Sequence, residues 1–495
     1  MTVSVPAIRI LRANAAPVRT VGAYVLYWMT AARRRHANPA LERAVEWAVE
    51  LGRPLVVLEA LRLDYPWASL RLHRFVCEGM RANAADFNDS GVAYMPYVEP
   101  RSAAGKGLLA ALAEQACVVV GDQFPSFFLP RMVAAAVARL PVACELVDGN
   151  GVMPLAAVPK AFERAVDYRR FWQGHLLPHL LATPAPDPLA QPALPRGAHI
   201  PPAVLARWPA ADLDELLDRG GLARLAIDQT VGLGWCHGGA AAGRTALAGF
   251  LTRVSSYRED TRDATRETSG LAPYLHFGHL SAHQTVHALL THEDWDPGTW
   301  AARPSASREG WWHLSPDAEA VLDQLVTWRE LGYAWCHFRP DHDSWSALPA
   351  WARTTLELRS ADPRPVLYTP AQLEAATTHD PLWNAAQRQL IREGRIHTYL
   401  RMLWGKKILE WSPTPQDALA LCFHLNNKYA LDGRNPNSAT GITWVFGAHD
   451  RPWAPQRPIF GSIRYMSSAS AMTKVDGKGY LKKYGAEAAR QLTIF

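Results

Sequence analysis

Nowhere in the 495 residues do eighteen apolar residues run together, and the first residues lack a short apolar core behind basic ones. Neither a membrane-spanning helix nor a secretory signal is expected, and the reading is a cytoplasmic protein. Cysteine is scarce. The six thiols at 77, 117, 144, 236, 336 and 422 include no CxxC pair, which excludes a disulfide framework and a cysteine zinc site and predicts reduced thiols. No GxGxxG follows the first apolar run, so the dinucleotide fingerprint is absent, and no GxSxG elbow offers a hydrolytic nucleophile. Internal repeats and low-complexity tails are absent as well.

The chain does contain a clear change of pattern. From Gly22 to about Val147, short β-branched or aromatic runs (AYVLYW, PLVVLEA, VAYMPY, ACVVVGD, PVACELV) alternate with longer helical stretches such as 39–51 and 105–115. That alternation predicts βαβ units, hence a doubly wound parallel sheet covered on both faces. Between Pro184 and Pro209 eight prolines fall within 26 residues, which predicts an extended surface connection without ordinary helix or sheet. Beyond about Asp212 the periodicity is helical and Trp and His are frequent. The expected division is 1–180, a linker at 181–211, and 212–495, two domains being what this length calls for.

The net charge of +6 is concentrated at one end. Residues 451–495 carry eight Lys or Arg against two acids, a distribution that suits a polyanion or, equally, a solvated basic face. Two local patterns imitate other chemistry. GGAAAGRT (238–245) resembles a phosphate loop but has Arg244 where lysine is needed and no strand leading in, so it is read as the start of a helix carrying Leu247, Phe250 and Leu251. His279, His283 and His287 share a helix face without an acid among them, and no metal is expected.

The richest stretch is HTYLRMLWGKKILEW (397–411). Leu400, Leu403, Trp404, Ile408 and Trp411 recur at three- and four-residue spacing, which predicts an amphipathic helix with the two indoles about 10 Å apart along its axis. Around it stand THDPLWNAAQ (378–387), LNNKYALDGRNPN (425–437), WVFGAHDRPW (444–453), SGLAPYLHFGHLS (269–281) and PIFGSIRYM (458–466). Taken in this order, over most of residues 250–466, these segments resemble the class II cyclobutane pyrimidine dimer photolyases of the photolyase/cryptochrome family.

The resemblance implies an α/β Rossmann-like domain that can hold a second, antenna chromophore of unknown identity, joined to an all-α domain that binds FAD. It places Tyr257, Thr268, Ser269, Gly270 and Leu271 on the FAD phosphates and ribityl chain, Asn426 near the isoalloxazine N5, and Asp432 near its polar edge. Trp411, Trp404 and Trp383 match the family's electron path, with Trp411 expected nearest the flavin. UV-damaged DNA is the implied partner, bound by a monomer with no membrane. Trp328, Met402 and Trp444 match the walls of the lesion pocket. Arg451 and Trp453 would brace the opened duplex, while Arg464, Lys474, Lys478, Lys482 and Lys483 would meet phosphates. The implied activity is light-driven splitting of pyrimidine dimers, with light sensing or another photoreaction as the alternative. Three positions depart from the family pattern. Gln324 stands where the LDxxxxWRE segment has Glu, Thr398 where Gly is usual, and Ala272 where Ser is usual. The first two bear on substrate and yield, Gln324 being assigned a catalytic role with Asn426 and Met402.

Overall fold

A computed structural model describes residues 5–266, 268–301 and 303–486. All five apolar runs form strands: β2 (Tyr24–Met29), β3 (Leu55–Leu61), β4 (Ala93–Val98), β5 (Ala116–Asp122) and β6 (Ala143–Val147). They build one sheet in the order β1-β6-β5-β2-β3-β4, parallel except at β1 (Ile10–Arg12), which pairs antiparallel with β6 at the edge. The sequence pattern does not announce β1, because three residues of which two are exposed carry no periodicity. The central strands are buried on both faces. Val25, Tyr27, Val57 and Val120 enter one core layer, and Leu26, Val56, Leu58 and Val119 the other, as a sheet sandwiched between helices requires.

The proline-rich segment differs from its expectation. It contains a helix, Pro202–Arg207, and it buries Leu189 and Leu194 under one face of the sheet and Val204 and Trp208 under the other. Pro202 occupies the first helical turn, where its missing N–H leaves nothing unsatisfied. Proline here directs a packed strap around the α/β domain. Val152, Phe162, Tyr168, Trp172 and Leu180 share a core with Leu247, Phe250, Leu289 and Val326.

Helices of the second domain start where capping chemistry directs. Asp380, Thr414 and Asn435 each accept backbone N–H bonds ahead of Pro381, Pro415 and Pro436, the first residues of three helices. One of their neighbours, Thr398–Trp411, is not amphipathic as expected but buried nearly all round, including Lys406 and Lys407. It is the central rod of the domain, packed by the helices Pro381–Glu393, Pro415–Tyr429, Pro436–Val445 and Ser468–Lys474.

Arg71, on the α/β-domain helix Leu70–Asn88, locks the two parts together. Its guanidinium donates to the carbonyls of Gly232 at 2.8 Å, Ile391 at 2.6 Å and Tyr429 at 2.5 Å. Two of these close the C-terminal ends of helices, where carbonyls carry partial negative charge. The two imitative patterns also find structural roles. Gly238 and Gly239 let their backbone approach the helix Leu70–Asn88 closely, a Cβ on Gly238 colliding with the carbonyl of Phe75. His279 accepts from the Gly239 amide at 2.9 Å, and the His283 and His287 rings meet the carbonyls of His179 and Leu180 at 2.9 and 2.7 Å. No cluster of three metal-ligating side chains occurs among the described residues.

Candidate functional site

A cavity of about 550 Å³ opens in the second domain where several separate segments converge. Tyr257 and Thr268 come from the loop-rich stretch before Pro273, and Gln324 from a π-helical turn at Asp323–Arg329. Thr398 and Met402 come from the first turn of the central helix, Trp444 from the end of the helix Pro436–Val445, and Arg464 from the basic region. The π turn widens the helix by one residue. Such turns recur at functional sites because they re-aim side chains, and here Gln324 is exposed into the cavity while Asp323 on its flank is buried against Arg169 at 2.7 Å. Trp328, from the same turn, stacks on Trp444 with ring centroids 4.6 Å apart and planes 15° from parallel. Trp444 lines the cavity and Trp328 backs it.

The other residues singled out from the sequence lie around this space without all lining it. Ser269 and Gly270 are half-buried, Gly270 in the left-handed region at φ 70°, and Leu271 is buried. Asn426 is buried on the helix Pro415–Tyr429 and donates to Ser438 Oγ and Asn427 Oδ1, each at 3.2 Å. Asp432 lies 3.5 Å from the Arg401 guanidinium. Arg451 and Arg464 flank Trp453, 4.7 and 5.1 Å from its ring centroid. Lys474, Lys478, Lys482 and Lys483 are exposed on the two following helices, and residues 487–495, the end of the basic segment, lie outside the described residues.

Several buried polar atoms make no hydrogen bond within the protein, among them both ring nitrogens of His397, which lines the cavity, and Arg401 Nε, Asn437 Oδ1 and Asp432 Oδ1, the last keeping only its 3.5 Å ion-pair contact with Arg401. A cluster of donors and acceptors left unpaired in a native interior calls for a ligand that satisfies them. Arg258, Arg262, Arg308 and Arg464 add positive charge along the rim and wall, suited to phosphate oxygens. Burial pushes the His397 imidazole below its ordinary value, so the ring is neutral and presents one donor and one acceptor. A polar, phosphate-bearing aromatic cofactor fits this donor set. The sequence pattern does not single out His397 and Arg401. Their one signal is a histidine and an arginine four residues apart, ahead of an apolar run.

Behind the cavity runs a file of tryptophans. The Trp404 indole donates to Gln387 at 2.8 Å, and Trp383 donates to the Trp404 carbonyl at 3.0 Å and meets the Trp411 ring at 5.5 Å. Trp411, expected nearest the flavin, is the further of the two helix tryptophans from this cavity. Met402 marks the cavity end of the helix, and Trp411 lies nine residues further, about 14 Å along the axis. Trp404 is the inner member and Trp411 the outer, because a straight helix cannot return its last turn to its first.

A second cavity, of about 530 Å³, lies at the carboxyl ends of the parallel strands, where open α/β sheets bind ligands. Trp28, Leu58, Leu72, Phe127, Phe128 and Met132 line it, with Arg33, Arg62 and Lys106 as polar points and Phe277 and Arg434 reaching in from the second domain.

The chain is 33% identical over 465 residues to the deoxyribodipyrimidine photo-lyase of Methanothermobacter thermautotrophicus, covering 92% of each chain. It is 34% identical over 479 residues to the protein of the same name from Oryza sativa, covering 93% of this chain and 87% of that one. Among solved structures, a class III photolyase from Agrobacterium tumefaciens superposes with a TM-score of 0.64 at 16% identity, over 94% of this chain and 86% of that one. A cryptochrome from Synechocystis does so with a TM-score of 0.62 at 14% identity, over 93% and 88%. These two likenesses show a shared fold. No family model matches the chain, and no helix among the described residues is long and apolar enough to cross a membrane.

Proposed function

The chain belongs to the deoxyribodipyrimidine photo-lyase family, and from that premise we propose that its second domain binds FAD and a flipped-out pyrimidine dimer and splits the dimer under light. The observation that carries this reading is the convergence of Tyr257, Thr268, Gln324, Met402, Trp444 and Arg464 on one cavity beside unpaired polar atoms.

Reduced FAD supplies, when lit, the one-electron donor that ordinary side chains cannot provide. The chain's part is to bind and orient. Tyr257, Thr268 and the backbone through Leu271 would hold the phosphates and ribityl chain. Asn426, a neutral amide, can hydrogen-bond the ring system without fixing its charge. Asp432 and Arg401 offer it a paired acid and base. The Trp328–Trp444 wall offsets the unstacking of an extruded base, each stacking contact being worth ~1–3 kcal/mol. Met402 closes the opposite side, and Gln324 directs an amide toward the base carbonyls. Arg464 and the exposed lysines at 474, 478, 482 and 483 would hold backbone phosphates, with Arg451 and Trp453 at the opened duplex. Trp404, Trp383 and Trp411 would return electrons from the surface.

The α/β cavity supports a second chromophore, an aromatic molecule with an anionic substituent. We read the protein as acting on DNA alone, as a monomer in the cytoplasm. The decisive experiment measures release of FAD from denatured protein and light-dependent restoration of a dimer-containing oligonucleotide. FAD bound in about equimolar amount and dimer loss only under light is the expected result. Absence of flavin, or equal affinity for damaged and intact strands with no dimer loss, overturns it.

A further inference from the structure

Trp411 does not end at solvent. Two rings cover its outer side: Tyr368, 5.5 Å away by centroids and edge-on at 78°, and His379, 5.3 Å away at 63°. The Tyr368 amide donates to the Trp411 carbonyl at 3.2 Å, which ties the two residues through the backbone. The phenol oxygen lies 2.7 Å from His379 Nδ1, and the backbone amide of His379 donates to that same oxygen at 2.8 Å. The amide occupies one oxygen lone pair, and in the His379 tautomer that carries its proton on Nε2 the phenol proton is directed at Nδ1. Tyr368 is half-buried and His379 exposed. The pair therefore stands between Trp411 and solvent as a phenol already hydrogen-bonded to a base.

The other charges around Trp411 point the same way. The Lys407 ammonium lies 5.5 Å from the Trp411 ring centroid and pairs with Glu410 at 2.6 Å. A cation over an indole face is attracted to the electron-rich ring and is repelled once that ring loses an electron, which the neighbouring carboxylate offsets only in part. An oxidised phenol that hands over its proton adds no positive charge on its own ring.

Resting on the tryptophan path described above, we propose that Tyr368 is its terminal electron donor and His379 the base that accepts its proton. When Trp411 has given up one electron, Tyr368 supplies one to it. The phenol O–H bond breaks, and its proton forms the new N–H bond at His379 Nδ1. The products are a neutral Trp411, a neutral tyrosyl radical and an imidazolium. A small-molecule thiolate from solution then gives one electron and leaves as a thiyl radical, while the proton returns from Nδ1 to the phenolate oxygen and restores the tyrosine. Both residues are a redox and a proton-accepting extension of the electron supply, and neither touches the cavity.

The test is flash photolysis with electron paramagnetic resonance on the flavin-loaded protein in its oxidised form. The wild type is expected to show a tryptophanyl signal decaying into a tyrosyl one, slower in D2O than in H2O. Tyr368→Phe should lose the tyrosyl spectrum and leave a longer-lived tryptophanyl signal that decays only by recombination with the flavin. His379→Gln keeps a hydrogen-bond acceptor but not a base, and should slow the tyrosyl step without abolishing the tryptophanyl one. A tyrosyl spectrum that survives Tyr368→Phe, or a wild type whose only radical is tryptophanyl, overturns the proposal while leaving the tryptophan path intact. Absence of any side-chain radical in the wild type overturns the path and this extension together.

Discussion

The two cavities are nearly equal in volume, about 530 and 550 Å³, yet their walls differ in kind. That of the α/β domain is built from the ends of strands and from packed Leu, Met, Phe and Trp side chains, with charged groups of both signs, such as Arg62, Asp64, Glu99 and Lys106, at its edges. That of the second domain draws residues from loops, a π turn and helix ends, and surrounds them with arginines and unpaired polar atoms. An apolar slot binds a flat molecule by area and leaves its chemistry alone. A polar, under-satisfied one fixes orientation and charge, as a site must where a reaction occurs. On the function proposed above, the second is the reacting site and the first would hold a second chromophore.

The largest expected effect tests that assignment at its electron supply. Trp404→Phe should abolish light-driven flavin reduction, since Trp404 is the member on the cavity side. Trp411→Phe should only slow it, because the inner two indoles remain. Equal loss in both variants would show that Trp404 is not the inner member of the file. A second effect separates the cavities by ligand content. Arg401→Leu leaves Asp432 without its cation, and breaking a buried pair costs roughly 3–5 kcal/mol. Both partners keep some solvent contact, at 27% and 18% exposure, so the lower end is expected, read as reduced FAD content per protein. By contrast Ala136→Trp, filling the α/β cavity, should leave FAD content unchanged and remove only absorption due to another chromophore. Loss of FAD in that variant would dissolve the distinction.

How far the sequence reaches follows the same line. Strands β2 to β6 are readable because a doubly covered parallel sheet imposes unbroken apolar runs; of the motifs singled out, Tyr257 and Thr268 line the cavity, and no residue of 425–437 is among its lining residues. Pro202–Arg207, Leu189 and Trp208 are not legible, since proline frequency does not tell an exposed strap from a packed one. The central helix misleads for a physical reason: its five spaced apolar residues make one face visible, while burial of Lys406 and Lys407 depends on partners on other helices. His397 and Arg401 belong with these, for their importance lies in what they lack as neighbours.

Lys406 gives a smaller, pH-dependent effect. Burial pushes its ammonium down to about 7 from 10.5, so between those values the unfolded chain holds the extra proton. Stability should therefore rise with pH across that window and flatten above it. Lys406→Met should remove the rise, as urea midpoints from pH 6 to 10 would show. An unchanged slope would place the titration elsewhere.

The finest test of the contrast lies at Gln324, which faces the reactive cavity beside Arg464, Met402 and Trp444. Its amide donates a hydrogen bond but cannot pass a proton. In Gln324→Glu the new carboxyl stands among Arg258, Arg262, Arg308 and Arg464, whose charges favour its ionised form. Only the protonated acid donates to a base carbonyl that gains negative charge as the dimer accepts an electron. The variant's gain in dimer splitting per absorbed photon is thus expected at acid pH and should decline toward the wild-type value as pH rises. Lesion affinity should change by no more than about 1–2 kcal/mol, the scale of one hydrogen bond. A yield ratio that stays at unity at every pH would show that position 324 is a wall and not a participant, and would leave the arginines to stabilise the charge alone.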